Sequence, residues 1–84
     1  MSCQGDRIIQ NLYVKHQEIK LVILDRVFRL SIDDNNLVLD VAGISYWNEH
    51  ALKVLGTYSR HPDLTDLQLE VINRILQIEQ DKLY

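Results

Sequence analysis

The sequence predicts an α+β fold with a short N-terminal helix, a small antiparallel β-meander and two C-terminal helices. Apolar and polar residues alternate over 28–33 and 37–41, on either side of a turn rich in Asp and Asn. Beyond residue 45 the apolar residues recur at helical spacing. The 84 residues contain no repeat and no linker, so we expect one domain, 1–84.

The first element is expected to be a helix over residues 6–17. Asp6 can cap its N-terminus, and the apolar side chains recur on one face. They are Ile8, Ile9, Leu12 and Tyr13.

The meander follows from period-2 patterns. In the first strand of the hairpin the inward residues are Phe28, Leu30 and Ile32, and in the second they are Leu37, Leu39 and Val41. Residues 33–36 form the turn between them. A third strand over Ile19–Leu24 is expected because an isolated two-stranded hairpin is scarcely stable.

An all-α bundle is the alternative fold. Apolar residues between 8 and 30 also fit a helical spacing, so 6–30 could form one long helix. The density of β-branched residues and the turn composition favour the sheet.

Two helices complete the predicted fold. Ser45 is expected to cap a helix that carries Trp47 on its buried face and ends at Gly56 in the left-handed conformation. Thr65 and Gln68 have the spacing of a capping box, which predicts a last helix that runs to about Lys82.

The last helix carries two apolar stripes. One consists of Leu64, Leu67, Val71, Ile75 and Ile78, and the other of Leu69, Ile72, Leu76 and Leu83. We expect the fold to cover the first stripe and a second subunit or a partner protein to cover the second. The alternative is that this helix lies between the sheet and another helix, with both stripes internal.

A further contact surface is predicted on the helix that begins at Ser45. Tyr46, His50 and Lys53 recur at i, i+4 and i+7, on the face opposite Trp47. Aromatic side chains of this kind are enriched in interface hot spots.

No sequence motif indicates a catalytic site or a cofactor site. The three histidines are scattered, the three glycines are isolated, and Cys3 is the only cysteine. We therefore expect no enzyme activity, no metal and no cofactor.

A DNA-binding regulator is the alternative function. Residues 39–52 resemble a helix-turn-helix, with Gly43 in the turn and Ser45 opening the recognition helix. However, residues 33–84 contain nine carboxylate side chains and only four lysines and arginines, which disfavours nucleic acid as a partner.

The sequence as a whole predicts a protein–protein interaction module: an adaptor, inhibitor or regulatory subunit that forms a homodimer through its last helix. Residues 1–7 are polar, unlike a secretory signal, and no apolar run approaches the length of a bilayer span. We expect a cytoplasmic protein that does not enter a membrane.

Overall fold

The computed structural model describes residues 4–82 and confirms the α+β fold. Three helices accompany one antiparallel sheet with the strand order β1-β2-β3-β4. The elements are α1 (Gln4–Tyr13), β1 (Ile19–Ile23), β2 (Arg26–Asp33), β3 (Asn36–Val41), β4 (Ile44–Trp47), α2 (Glu49–Tyr58) and α3 (Asp66–Lys82).

The predicted meander is present, with one strand more than expected. The all-α alternative is wrong, because β1 and β2 pair in register where it required a single helix. The additional strand, β4, includes Ser45 and Trp47, so Ser45 does not cap a helix. The helix begins at Glu49 instead, after Asn48.

Helix α1 includes Gln4 and Gly5, so Asp6 lies in its first turn and does not cap it. Two helix C-termini also differ from the prediction. Helix α1 ends at Tyr13 and not at residue 17, and the left-handed φ of 56° at His16 is incompatible with a helix that continues through it. Gly56 does not end α2. The helix continues to Tyr58, and the Ser59 N–H still donates to the Leu55 carbonyl.

The strands are joined by three tight hairpins. Each connection has two residues, and both have positive φ: Leu24 and Asp25, Asp34 and Asn35, Ala42 and Gly43. Positive φ at both central positions is the type I′ turn, whose twist matches that of the strands. Asn and Gly suit it, whereas a leucine side chain is strained there.

All three helices cover the same face of the sheet. Alternate strand residues are buried, and the fully buried ones include Phe28, Leu30, Leu37 and Leu39. These side chains form one core with residues of α1, α2 and α3. The opposite face of the sheet carries no element of the described chain.

Helix α3 lies between α1 and α2. Arg74 forms an ion pair with Asp6 of α1, while Leu76 faces a groove shared with Leu52 of α2. The capping box is confirmed, since Thr65 and Gln68 bond each other's backbone N–H at 3.1 Å. Helix α3 extends to Lys82, the last residue that the structure describes.

Replacing Leu24 with Asn should stabilise the protein by about 0.5–1 kcal/mol, because Asn adopts positive φ more readily than Leu. The urea midpoint of unfolding measures the change. Leu24→Ala is the control, since it removes the same half-exposed side chain and retains the strain. A midpoint for Leu24→Asn at or below that of the control would contradict the prediction.

Candidate functional site

The predicted association stripe lies mostly inside the chain. Ile72 is completely buried in the core, and Leu69 and Leu76 are half-buried against it. Leu83 lies outside the described residues. The reason is the position of α3, because α2 packs beside it and covers this stripe. This is the arrangement of the alternative in which both stripes are internal. Of the described members, Leu76 lines the groove between α2 and α3.

The predicted surface of Tyr46, His50 and Lys53 is not one helical face. Tyr46 belongs to β4, and its half-buried side chain packs against the core. His50 and Lys53 are exposed on α2. The helical spacing behind this prediction crosses the boundary between a strand and a helix, so the three side chains do not share a helix face.

The helix-turn-helix interpretation of residues 39–52 is also wrong. This segment consists of the end of β3, a hairpin, β4 and the start of α2. Gly43, with a φ of 77°, is a hairpin residue, and no helix precedes it within the segment.

Trp47 lies on the open face of the sheet and not in the core. It is 44% exposed and is paired across the ladder with Val38. Val38 is only 8% exposed although it is not part of the core cluster, as expected if the neighbouring indole covers it. A large aromatic side chain is therefore available on this face.

The backbone of β4 has an unpaired edge. Val41 pairs with Ile44, Leu39 pairs with Tyr46, and the Asn48 N–H donates to the Leu37 carbonyl at 2.9 Å. In an antiparallel strand, the backbone N–H and C=O groups of successive residues point alternately toward and away from the neighbouring strand. The groups of Ser45 and Trp47 therefore point away from β3. None of the turn, loop or cap hydrogen bonds among residues 4–82 reaches them.

The side chains of β4 leave this edge unprotected. Ile44 is 54% exposed on the helix-covered face of the sheet, and Trp47 is exposed on the open face. Among the usual protections of an edge strand, β4 has shortness, with four residues, but it has no charged residue, no proline and no bulge. We refer to Ile44–Trp47 and its outward backbone groups as the β4 edge.

The opposite edge, β1, is protected. The Gln68 carboxamide donates through Nε2 to the Val22 carbonyl, and its Oε1 accepts the cap bond from Thr65. Lys20 adds a charge on the same strand. Gln68 thus bonds one outward carbonyl of the β1 edge and caps α3 at once, whereas no side chain bonds an outward group of β4 among residues 4–82.

Asn48 fixes the junction between β4 and α2. Its φ of 49° and ψ of −114° are strained for a residue with a side chain. The side chain compensates, because Oδ1 accepts from the Leu37 N–H at 3.2 Å and Nδ2 donates to Asn36 at 3.1 Å. The ladder therefore ends here, and β4 remains only four residues long.

A buried polar cluster joins α1 to α3. Glu79 is 5% exposed; its carboxylate accepts a 2.6 Å hydrogen bond from the Tyr13 hydroxyl and lies 3.2 Å from the Lys82 ammonium. Burial raises the pKa of Tyr13 well above its ordinary value, and the hydrogen bond to Glu79 and its charge add to this. The Lys82 ammonium also lies 5.2 Å from the Tyr13 ring centre.

This cluster has a structural explanation that is complete within the chain. Glu79 and Lys82 line a cavity of about 390 Å³ beside Asn48 and Glu49. Yet every buried side-chain nitrogen and oxygen among residues 4–82 has a hydrogen-bond partner. Three or more His, Cys, Asp or Glu side chains do not come together in that part of the chain, so it holds no candidate metal site.

No family model, curated protein or solved structure matches this chain. None of the helices in residues 4–82 has both the length and the apolarity to cross a bilayer.

Gln68→Glu tests the bond between the Gln68 carboxamide and the β1 edge. A glutamate retains the capping box but cannot donate to the Val22 carbonyl, so we expect a loss of about 1 kcal/mol of stability. Amide exchange in β1 should accelerate more than in Thr65→Ala, a control that removes only the cap bond. Equal exchange in β1 for the two variants would contradict this assignment.

Tyr13 should make stability fall at alkaline pH. The raised pKa keeps the folded hydroxyl neutral, whereas the unfolded tyrosine ionises near 10.0. Its contribution is thus present below pH 10.0 and decreases as the pH rises further. Tyr13→Phe should cost about 1–2 kcal/mol at neutral pH and show a shallower decline above that pH, measured by urea unfolding. Parallel declines would contradict the prediction.

Proposed function

We propose that this protein is a non-catalytic protein–protein interaction module, an adaptor, inhibitor or regulatory subunit, that forms a homodimer through the β4 edge. The observation that carries the proposal is the contrast between the two edges of one sheet. Gln68 bonds one outward carbonyl of the β1 edge, which also carries the charge of Lys20, whereas the β4 edge is uncharged and no bond among residues 4–82 reaches its outward groups at Ser45 and Trp47.

An open edge favours the addition of another strand. Each added strand supplies backbone donors and acceptors in a fixed register, and side chains on both faces supply apolar contact. The β4 edge offers Ile44 on one face and Trp47 on the other, both about half exposed. Tryptophan is among the residues that contribute most to binding energy in protein interfaces.

Charge also favours this edge as the place where two copies meet. The chain carries a formal charge of −3, so two copies repel each other through most of their surfaces. The four residues of β4 carry none of that charge. Contact there brings no like charges directly together.

The groove between α2 and α3 is the competing surface for dimerisation. A dimer through the last helix, as the sequence predicts, would use this groove. Its volume is about 620 Å³, and Leu52, Gly56 and Leu76 contribute its apolar part. Both leucines are already half-buried against the core of their own chain. A partner would gain less apolar burial there than at β4.

Sedimentation velocity over a hundredfold concentration range tests self-association. We expect a monomer–dimer equilibrium, with a shift of the Trp47 emission to shorter wavelength as the dimer forms. Trp47 is the single tryptophan of the chain, so its fluorescence reports on the β4 edge alone. A strict monomer at every concentration would overturn the homodimer.

A further inference from the structure

We infer that two copies of this chain pair β4 against β4 in antiparallel orientation, across a two-fold axis at Tyr46, so that the two sheets become one. The inference rests on the proposed homodimer and deepens it by giving the register. An isologous contact of this kind uses the same surface on both copies and closes at two subunits.

The directions of the backbone groups select this register. In an antiparallel ladder, alternate pairs of opposite residues exchange both of their N–H···O=C bonds. Ser45 and Trp47 are the β4 residues whose groups point outward. With the axis at Tyr46, Ser45 of one copy lies opposite Trp47 of the other, so all of these groups find partners.

The same register brings the side chains of β4 together. Tyr46 lies at the two-fold axis, opposite Tyr46 of the second copy, and both side chains are on the helix-covered face. The two residues form a pair without backbone hydrogen bonds, in which opposite side chains are closest. On the open face, Trp47 lies between Val38 of its own chain and Ser45 of the second copy. The exposed part of the indole is thereby covered.

The charges near β4 fit this arrangement. Asp40 is the ladder neighbour of Ser45, and its carboxylate accepts a hydrogen bond from the Ser45 hydroxyl. On the open face of the paired sheet, Asp40 and Ser45 of one copy form a row of adjacent side chains. This row continues across the dimer with Trp47 and Val38 of the second copy, which are both apolar. The two Asp40 carboxylates therefore lie in different rows and do not face each other.

The short edge limits the affinity. A strand of four residues buries less than the roughly 1,600 Å² of a standard interface. We expect a dimer that dissociates on the order of micromolar concentration or above. This equilibrium lies within the range of the sedimentation experiment.

Ser45→Pro tests the pairing at the backbone. Proline removes the Ser45 N–H, which points outward, and leaves the bonds between β3 and β4 in place. Ser45→Ala is the matched control: it keeps the N–H and, like the proline variant, lacks the hydroxyl bond to Asp40. We expect the proline variant to weaken dimerisation about ten- to hundredfold relative to the alanine variant, measured by sedimentation velocity.

Amide hydrogen exchange of the unmodified protein gives a second readout that needs no variant to fold. The Ser45 and Trp47 amides should exchange quickly in dilute solution and slow down as the concentration rises. The Tyr46 amide, which bonds to β3, should be protected in both conditions. Concentration-dependent protection of this alternating kind is expected only from a strand added to β4.

The outcomes separate the two proposals. A monomer at all concentrations overturns the homodimer itself. A dimer in which the Ser45 and Trp47 amides stay unprotected, and which Ser45→Pro does not weaken, overturns only the β4 pairing. Gly56→Gln then tests the groove between α2 and α3, because open space surrounds Gly56 and the added side chain would enter the groove. Dissociation by that variant would also overturn the β4 pairing.

Discussion

The docking of α3 between α1 and α2 is the constraint on which the rest of the structure depends. Two apolar stripes on one helix need two covering surfaces, and in this chain the two other helices and the sheet supply them. Because all three helices are required on one face of the sheet, none remains for the other. The open face and its exposed tryptophan are consequences of that arrangement.

The same arrangement makes the two edges of the sheet different. The N-terminus of α3 comes close to β1, where the carboxamide of Gln68 can serve the helix cap and the strand edge together. Helix α2 instead starts directly from β4 at the strained Asn48 and turns onto the covered face. No described side chain is thereby brought to the outward side of β4, and an edge without such protection favours strand pairing.

The regular parts of the fold were predictable because their signals are local. Alternation marked β2 and β3, the instability of an isolated hairpin predicted β1 beside them, and the spacing of Thr65 and Gln68 marked the start of α3. The fourth strand was missed because its four residues also fit the first turn of a helix. The available signal was the hairpin itself: Val41 and Ile44 flank the two residues Ala42 and Gly43.

The sequence by itself determined the fold class, the two strands with clear alternation and the start of the last helix, since these follow from short-range periodicity and capping. Only the tertiary structure decided which apolar residues are covered. Ile72 and Trp47 carry similar apolar signals in the sequence, yet one is fully buried and the other is half exposed. Coverage depends on elements that are distant along the chain, as do the bond from Gln68 to Val22 and the one from Tyr13 to Glu79.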